Sequence, residues 1–468
     1  MQYLNSFRDP MGTLLFEGKR CYRFIRAQHQ PAIEKLITAE FFTQLQQQGS
    51  IIQSQKITAE ALPKAADAFV GELCLEHPHM EYISYPWEWC FSALKDAGLL
   101  TLELQATALL HGYSLKDASA ANIIFAGTKP VFVDILSFTP YQEGRPWLAY
   151  GQFLRNFLFP LWLQAYADLP FQELSLTHLG ELPLDVVYKI LGTRHFVKPL
   201  VFSHVFLQQK LAKLMQNTDV PDLLNEKSLQ LSKKQLLHQI QKLKQHLTTL
   251  RYKPLQASSP QAWIHYAGSN SYAENANAQK QATITSILAT ERPYCLLDFG
   301  ANSGIYTNIA AQYAQKVIAV EMDPAVSETL YLNAAPNVYP FVCNVAKPTP
   351  ALGFALQEKL SFPARVHGDM FLALALIHHL RISAGIPLTH IIPYLLSYAP
   401  KGILEWIAPE DPQVLMLLKH RENVFLDYSF DSLLSILKIH CLSWKILTSI
   451  NETRTLIFIQ AKVEGTKA

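Results

Sequence analysis

One stretch of the sequence, residues 296 to 324, constrains the fold more than any other. It reads LLDFGANSGIYTNIAAQYAQKVIAVEMDP: an apolar strand, a turn with Asp298, Gly300 and Gly304, a helix, and a second apolar strand that ends at Glu321. Glycines in such a turn let a ligand approach the backbone N–H groups of the following helix. An acid about twenty residues further on can accept hydrogen bonds from a ribose diol. The stretch therefore predicts a parallel βαβ unit that binds a nucleoside-containing ligand.

Composition sets the size and class of the protein. The chain has 468 residues, 49% of them hydrophobic and 17% charged, so about two or three well-buried globular domains are expected. A net charge of +2 gives no general attraction to nucleic acids or anionic membranes. The six cysteines are scattered without a CxxC pair, which predicts buried thiols. No signal-peptide core and no apolar run of membrane-spanning length is recognised, so we expect a cytoplasmic protein.

Further strands follow the glycine turn in the pattern of an open sheet. Apolar runs predict strands at 338–343 and 402–407 and a closing antiparallel pair at 444–450 and 454–463. A helix is predicted before the first strand, from about 274 to 289. Parallel strands with an antiparallel hairpin at the edge indicate a doubly wound α/β domain.

The glycine turn begins with an acid and has the form DxGxxxG, in contrast to the GxGxxG of nicotinamide-binding proteins. This form resembles motif I of class I S-adenosylmethionine-dependent methyltransferases. The segment ARVHGDMFLALALIHHL (364–380) resembles their fourth strand and the helix after it. The resemblance implies a Rossmann-like domain that binds S-adenosylmethionine. It implies these cofactor contacts: Asp298, Gly300, Asn302 and Gly304 at the methionine end, Glu321 at the ribose, Asn344 at the adenine, and Asp369 at the start of the fourth strand.

Two adjacent histidines, His378 and His379, follow the fourth strand near the expected cofactor cleft. Successive helical side chains diverge by about 100°, so the pair cannot hold one metal ion together. A helix cap or polar core residue remains one interpretation, and a cleft-lining catalytic base, with His378 as the candidate, remains the other. Near the fifth strand, Glu405 would need a partner if buried, and Asp411 is expected to be a solvated loop acid.

A second constellation lies in the N-terminal half, in LKDASAANIIFAGTKPVFVDILSF (115–138). Asp117 is followed five residues later by Asn122, then by a predicted hairpin and Asp134. The pattern resembles the catalytic and metal loops of protein kinases and aminoglycoside phosphotransferases. The resemblance implies that Asp117 orients a substrate hydroxyl and that Asn122 and Asp134 bind the metal of Mg-ATP. Residues beside Asp117 and Asp134 depart from that family's pattern, and no glycine-rich loop is recognised. A capped loop followed by a strand-end acid is the alternative.

Helices are predicted between the two halves. Residues 147–171 are apolar on nearly every face and predict a buried helix interrupted by Arg155 and Pro160. Further on, a 4-3-4-3 spacing favours a helical hairpin seam over a dimerising coiled coil, because two heptads associate weakly. The seam consists of Leu236, Ile240, Leu243, Leu247 and Leu250. The segment 253–262 has the prolines and serines of a linker.

Four motifs, SYPWEW, LKDASAAN, VFVDILSF and LALALIHHL, resemble those of a bacterial group of two-part methyltransferases that includes nodulation proteins. The sequence therefore predicts an α+β, kinase-like domain at 1–145, a helical connector at 146–252, and a class I methyltransferase domain at 253–468. The predicted reaction is methyl transfer to a small-molecule, lipid or protein acceptor. Nucleic acid is disfavoured because no basic stripe with interleaved aromatics is present. The alternative adds a phosphotransferase using Mg-ATP, or a degenerate kinase-like binding module, in the N-terminal half. The oligomeric state stays open.

Overall fold

The computed structural model describes residues 8–18, 20–58, 72–210, 230–252, 274–419 and 425–462. Its contacts divide the chain into two compact units. The first is Met1–Leu255 with Leu352–Lys359, and the second is Gln256–Ala351 with Leu360–Ala468. The predicted linker at 253–262 lies outside the described residues. Over the described part of the chain, no helix is both long enough and apolar enough to cross a membrane.

The first unit contains short strands. They are β1 (Gly12–Glu17), β2 (Arg20–Ile25), β3 (Gln55–Lys56), β4 (Leu73–Pro78), β5 (Tyr113–Leu115), β6 (Ile123–Ala126), β7 (Lys129–Phe132) and β8 (Phe138–Pro140). Four of them form an antiparallel sheet in the order β1-β2-β4-β3, and the others pair as β5 with β8 and β6 with β7. The hairpin predicted between Asn122 and Asp134 is therefore present, as β6 and β7.

The remainder of the first unit is mainly helical. Its longer described helices are Gln30–Ile37, Glu40–Gln47, Phe91–Leu110, Phe159–Ala167, Leu184–Leu191 and Lys233–Thr249, and shorter ones are Tyr150–Phe153, Gln172–Thr177 and Pro199–Val201. The run predicted at 147–171 is a buried helical stretch with a π-helical turn at Leu154–Leu158. Leu247 of the predicted seam lies 3.4 Å from where a Cβ on Gly98 would stand. The seam thus packs against the helix Phe91–Leu110 of the same unit, which is far from it in sequence, and not against a consecutive helix among the described residues.

The second unit is built on a seven-stranded sheet. Its strands are β9 (Cys295–Phe299), β10 (Lys316–Glu321), β11 (Val338–Val342), β12 (Met370–Ala373), β13 (Lys401–Ile407), β14 (Cys441–Asn451) and β15 (Arg454–Ala461). They lie in the order β11-β10-β9-β12-β13-β15-β14. The first five are parallel, and β15 is antiparallel to both of its neighbours. A mixed α/β fold is confirmed.

Helices alternate with these strands and explain why the central strands are apolar on both faces. The described helices are Glu274–Glu291, Ile305–Ala310, Pro324–Asn333, Phe362–Arg365, Leu388–Tyr398, Pro412–Leu418 and Phe430–His440, with a π-helical turn at His379–Ser383. β9 lies at the centre of the parallel strands. β10 and β11 follow it in the chain and lie on one side of it, and β12 and β13 come later and lie on the other side. The loops that follow β9, β10 and β12 therefore meet at the carboxyl edge of the sheet, at the point where the strand order reverses.

Candidate functional site

The loop after β9 forms a tight turn at the carboxyl edge. Gly300 (φ 76°), Asn302 (φ 49°) and Gly304 (φ 90°) all have left-handed backbone conformations. The N–H of Gly300 donates to the carbonyl of Val320 at 2.9 Å, which ties the turn to β10. A Cβ on Gly304 would stand 2.6 Å from Leu330 Cδ1, so packing as well as φ requires glycine there.

Asp298 is buried immediately before this turn. Its Oδ2 accepts a hydrogen bond from Thr307 Oγ1 at 2.6 Å, which joins the end of β9 to the next helix. Burial raises the pKa of the Asp298 carboxyl to about 6. The bond from Thr307 and the ammonium of Lys280 oppose the rise, and the charge of Glu321 adds to it. The buried carboxyl of Asp298 therefore stabilises the turn by linking the strand before it to the helix after it.

Glu321 ends β10 directly beside the turn. Its Oε2 accepts the N–H of Asn302 at 2.9 Å, and its Oε1 accepts the N–H groups of Met322 at 2.7 Å and Asp323 at 2.9 Å. Burial raises the pKa of the Glu321 carboxyl, while these three N–H donors lower it. A carboxylate accepts about four hydrogen bonds, so Glu321 retains capacity for a further donor at the strand end.

The two remaining predicted cofactor residues lie at opposite edges of the sheet. Asn344 follows β11 at the carboxyl edge, where the preceding N–H, of Cys343, donates to the carbonyl of Glu321 at 2.9 Å. Asp369 precedes β12, and its Oδ2 accepts the N–H of Cys295 at 2.8 Å. Cys295 begins β9, which runs parallel to β12, so Asp369 lies at the amino edge. The structure does not bring Asp369 to the turn, which corrects its predicted cofactor role; its carboxylate joins two strand starts instead.

His378 lies in the helical segment after β12 and is fully buried. Leu376, two residues earlier, lies 3.6 Å from where a Cβ on Gly300 would stand, so this segment adjoins the glycine turn. Within the described residues, neither ring nitrogen of His378 has a hydrogen-bond partner. Burial, the ring of His379 at 3.9 Å between centroids, and the charge of Arg454 hold the pKa of His378 well below its usual value. The imidazole is therefore neutral at pH 7.

A buried ion pair between Arg454 and Asp411 lies at the end of β13. Arg454 Nε lies 2.8 Å from Asp411 Oδ2 and Nη2 lies 3.2 Å from Oδ1, and both side chains are 1% exposed. Asp411 also accepts from Thr453 Oγ1 at 2.8 Å and from the N–H of Gln413 at 2.9 Å. The prediction of a solvated Asp411 is wrong, because its partner stands 43 residues further along the chain. In the sequence, the partner is visible only as Arg454, a charged residue at the start of an apolar strand.

The partner that a buried Glu405 needs is Lys280. Lys280 Nζ lies 2.7 Å from Glu405 Oε2, with the two side chains 6% and 0% exposed. The same ammonium lies 4.8 Å from the centroid of the Tyr306 ring. Burial and the charges of Glu405 and Asp298 raise the pKa of Tyr306. Sequence reasoning missed Lys280, which places a buried cation near the acid of the glycine turn.

In the first unit, Asp117 and Asp134 lie close enough together to interact. Asp117 Oδ1 accepts the N–H of Ser119 at 2.8 Å. Burial raises the pKa of Asp117, and the nearby charge of Asp134 adds to the rise. The hydrogen bond from the Ser119 N–H opposes it. Asp117, Asn122 and Asp134 therefore share one group, defined here as the Asp117 group.

Both carboxylate oxygens of Asp134 already have partners within the fold. Its Oδ1 lies 3.0 Å from Arg23 Nη1, and its Oδ2 accepts from Ser137 Oγ at 2.5 Å. In the ranges that the structure describes, no three His, Cys, Asp or Glu side chains are grouped as metal ligands. The guanidinium of Arg23 therefore contacts the carboxylate that the resemblance assigns to the metal ion.

Solved structures offer distant likenesses. WbdD, a bifunctional kinase-methyltransferase, is 13% identical with a TM-score of 0.31, over 44% of this chain and 45% of WbdD. The magnesium protoporphyrin IX methyltransferase of Synechocystis PCC 6803, solved with bound S-adenosylmethionine, is 14% identical with a TM-score of 0.29, over 44% of this chain and 92% of the enzyme. The N-methyltransferase NodS of Bradyrhizobium japonicum WM9 is 9% identical with a TM-score of 0.29, over 40% of this chain and 98% of NodS. Likenesses of this size assign neither a fold nor an activity.

Sequence similarity is stronger and covers both units. The chain is 30% identical to the nodulation protein NoeA of Rhizobium meliloti (strain 1021) over 438 residues, which are 92% of this chain and 90% of that protein. No family model matches the chain. The similarity confirms the predicted membership of a bacterial group that includes nodulation proteins. The chain belongs to the family of the nodulation protein NoeA.

Proposed function

We propose that the second unit is a class I, Rossmann-like methyltransferase that uses S-adenosylmethionine. The observation that carries the proposal is the adjacency of the glycine turn and the strand-end acid, with Glu321 Oε2 2.9 Å from the N–H of Asn302. Open parallel sheets bind their ligands at the carboxyl edge where the strand order reverses, which is where this turn lies. Gly300 and Gly304 have no side chains, so a ligand can approach the backbone of the turn closely. Glu321, beside the turn, can accept a further hydrogen bond. Together these features fit a nucleoside that carries an amino-acid group.

We assign each part of the cofactor to residues at this edge. The residues that would hold it are Asp298, Gly300, Asn302 and Gly304 at the methionine end, Glu321 at the ribose and Asn344 at the adenine. When bound, the cofactor supplies a methyl group on a sulfonium that a nucleophile displaces in line. The chain's contribution is to orient the two reactants and to exclude water.

His378 is the residue that we propose to receive a proton from the acceptor. A buried polar atom without a partner costs about 1–3 kcal/mol, and both ring nitrogens of His378 are in this state among the described residues. A hydroxyl or amine of the acceptor would supply the missing partner. Burial lowers the pKa of His378, so the neutral ring can accept a hydrogen bond from the acceptor, while the same burial disfavours the imidazolium that a completed proton transfer would form. Under the alternative of a polar core residue, His378→Gln would change stability and leave methyl transfer unchanged.

The first unit is better described as a degenerate kinase-like binding module than as a phosphotransferase. The ion pair between Arg23 and Asp134 favours this choice, because phosphotransfer from Mg-ATP would need a metal ion at that carboxylate. Asp117 remains the candidate for contacting a hydroxyl. We propose the same domain boundaries as the sequence predicts: a first domain to residue 145, a helical connector to residue 252, and the methyltransferase domain after it. We also propose that the methyl acceptor is a small molecule, a lipid or a protein. Labelling of cell extracts with a methyl-tritiated cofactor would identify the acceptor.

Calorimetric titration of S-adenosylmethionine tests the cofactor site with two matched glycine variants. Gly300 and Gly385 have similar φ angles, 76° and 73°, and a Cβ on Gly385 would meet nothing within 4 Å. An alanine at either position carries a left-handed strain of about 1–2 kcal/mol. We expect Gly300→Ala to weaken cofactor binding at least about tenfold, or 1.4 kcal/mol, while Gly385→Ala binds as wild type does. Absence of binding to the wild type, or equal binding by both variants, would refute the assignment.

A further inference from the structure

Arg23 is positioned by a sheet strand and by contacts with a neighbouring segment of the first unit. It lies on β2 in the interior of the four-stranded sheet, opposite Leu14 of β1 and Leu75 of β4. Its side chain is 8% exposed, and that of Asp134 is 22% exposed. Nη1 contacts the Asp134 carboxylate at 3.0 Å, and Nη2 lies 3.4 Å from the carbonyl of Val133. The guanidinium is therefore fixed by consecutive residues that follow the β6–β7 hairpin.

The charges around this guanidinium show what it compensates. Asp9 lies 3.8 Å from Arg23 and Asp134 lies 3.0 Å from it, while the charge of Asp134 is close enough to Asp117 to raise the pKa of that carboxyl. His77, on the strand next to β2, adds no positive charge, because burial and Arg23 itself lower its pKa to about 4. Arg23 thus supplies positive charge to two carboxylates, those of Asp9 and Asp134, and the second of these lies near Asp117.

A guanidinium stays protonated at every physiological pH, so its charge is permanent. A divalent cation at Asp134 would be repelled by Arg23 and would have to displace it from a carboxylate that it already contacts. Carboxylate and amide oxygens are otherwise the ligands that hard divalent cations prefer. The Asp117 group has these oxygens, and Arg23 stands among them.

We propose that Arg23 is a built-in cation that replaces a divalent metal ion in the Asp117 group. The first unit then works without a metal, and removal of the guanidinium uncovers a latent site for a divalent cation. The metal-bridged phosphates of a nucleotide have no place in the wild-type group. This proposal does not depend on the cofactor site of the second unit.

Titration of the full-length chain with Mn²⁺, with free Mn²⁺ measured by electron paramagnetic resonance, tests it. The chains compared are the wild type, Arg23→Gln, Arg23→Gln/Asp134→Asn and Arg20→Gln. Arg20 is a matched control on the same strand, because its side chain is 62% exposed and pairs with Glu76 at 3.4 Å. We expect Arg23→Gln to bind one Mn²⁺ with a Kd on the order of 1 mM or tighter, and the other chains to bind at least about tenfold more weakly. Mn²⁺ should also raise the Tm of Arg23→Gln alone.

Two outcomes would overturn the proposal. One is a Mn²⁺ or Mg-ATP site in the wild type that is lost in Asp134→Asn, since a metal would then coexist with Arg23; this arm needs no variant of Arg23. The other is an Arg23→Gln chain with a native circular dichroism spectrum that binds Mn²⁺ no better than Arg20→Gln. Binding by Arg23→Gln that disappears with Asp134→Asn supports the proposal.

Discussion

Replacement of Lys280 by methionine should destabilise the second unit strongly. The change keeps the length of the side chain but removes the ammonium that lies 2.7 Å from the Glu405 carboxylate, and Glu405 is completely buried in β13. Breaking a buried ion pair by removing one partner costs about 3–5 kcal/mol, because the remaining charge is left uncompensated. Replacing both partners with apolar residues is often neutral, so Lys280→Met/Glu405→Leu should return to within about 1 kcal/mol of the wild type.

Hydrogen exchange of peptides from β9 and β13 is the suitable assay, because it reports the opening of the second unit separately from the first. Lys401→Met is the matched control. Lys401 also lies on β13 and pairs with Glu291 of the helix that carries Lys280, but the two side chains are 28% and 24% exposed. A partly exposed pair of this kind contributes about 0–1 kcal/mol. The reasoning fails if Lys280→Met costs no more than Lys401→Met, or if the double variant is no more stable than Lys280→Met.

Three further predictions concern acid stability, packing and the second buried pair. Burial lowers the pKa of both His204 and His246, so their contribution to stability is complete above the unfolded pKa of about 6.5 and is lost as the pH falls below it. The urea midpoint of the first unit should therefore drop between pH 7.5 and 5.5, and less so in a His204→Gln/His246→Gln variant; an equal drop would contradict the assignment. Gly304→Ala places a Cβ 2.6 Å from a leucine methyl, whereas Gly385→Ala meets nothing within 4 Å. The first should lower the urea midpoint clearly more than the second, and equal midpoints would exclude the clash. Asp411→Asn leaves a buried arginine without its charge partner and should cost about 3–5 kcal/mol, seen as faster hydrogen exchange in β15 with no change in the first unit.

The features that could be predicted from the sequence are those whose signals lie within a few residues. The glycine turn, the strands that flank it and the β6–β7 hairpin each combine a short apolar run with adjacent turn residues. Asp117, Asn122 and Asp134 were also expected together, because a short hairpin brings its two ends side by side. Local spacing was sufficient for these cases.

The ion pairs between residues distant in sequence could not be predicted in this way. Arg23 and Asp134 are 111 residues apart, Lys280 and Glu405 are 125 apart, and their side chains meet only through tertiary packing. Asp369 shows a different limit. A resemblance assigned it to the cofactor, yet an acid that precedes a parallel strand lies at the amino edge, far from the loops that follow the strands.

The position of β15 within the sheet has a consequence for biosynthesis. β15 lies between β13 and β14, although the ribosome makes it after both. Until residue 461 has been translated, β13 has an unpaired edge, β14 lacks its described neighbour in the sheet, and Asp411 has no Arg454. A nascent chain stalled before residue 454 should therefore be cleaved readily by protease within 295–419, while residues 72–210 are already protected. The described sheet of the second unit is therefore complete only when β15 has been made and has paired with both β13 and β14.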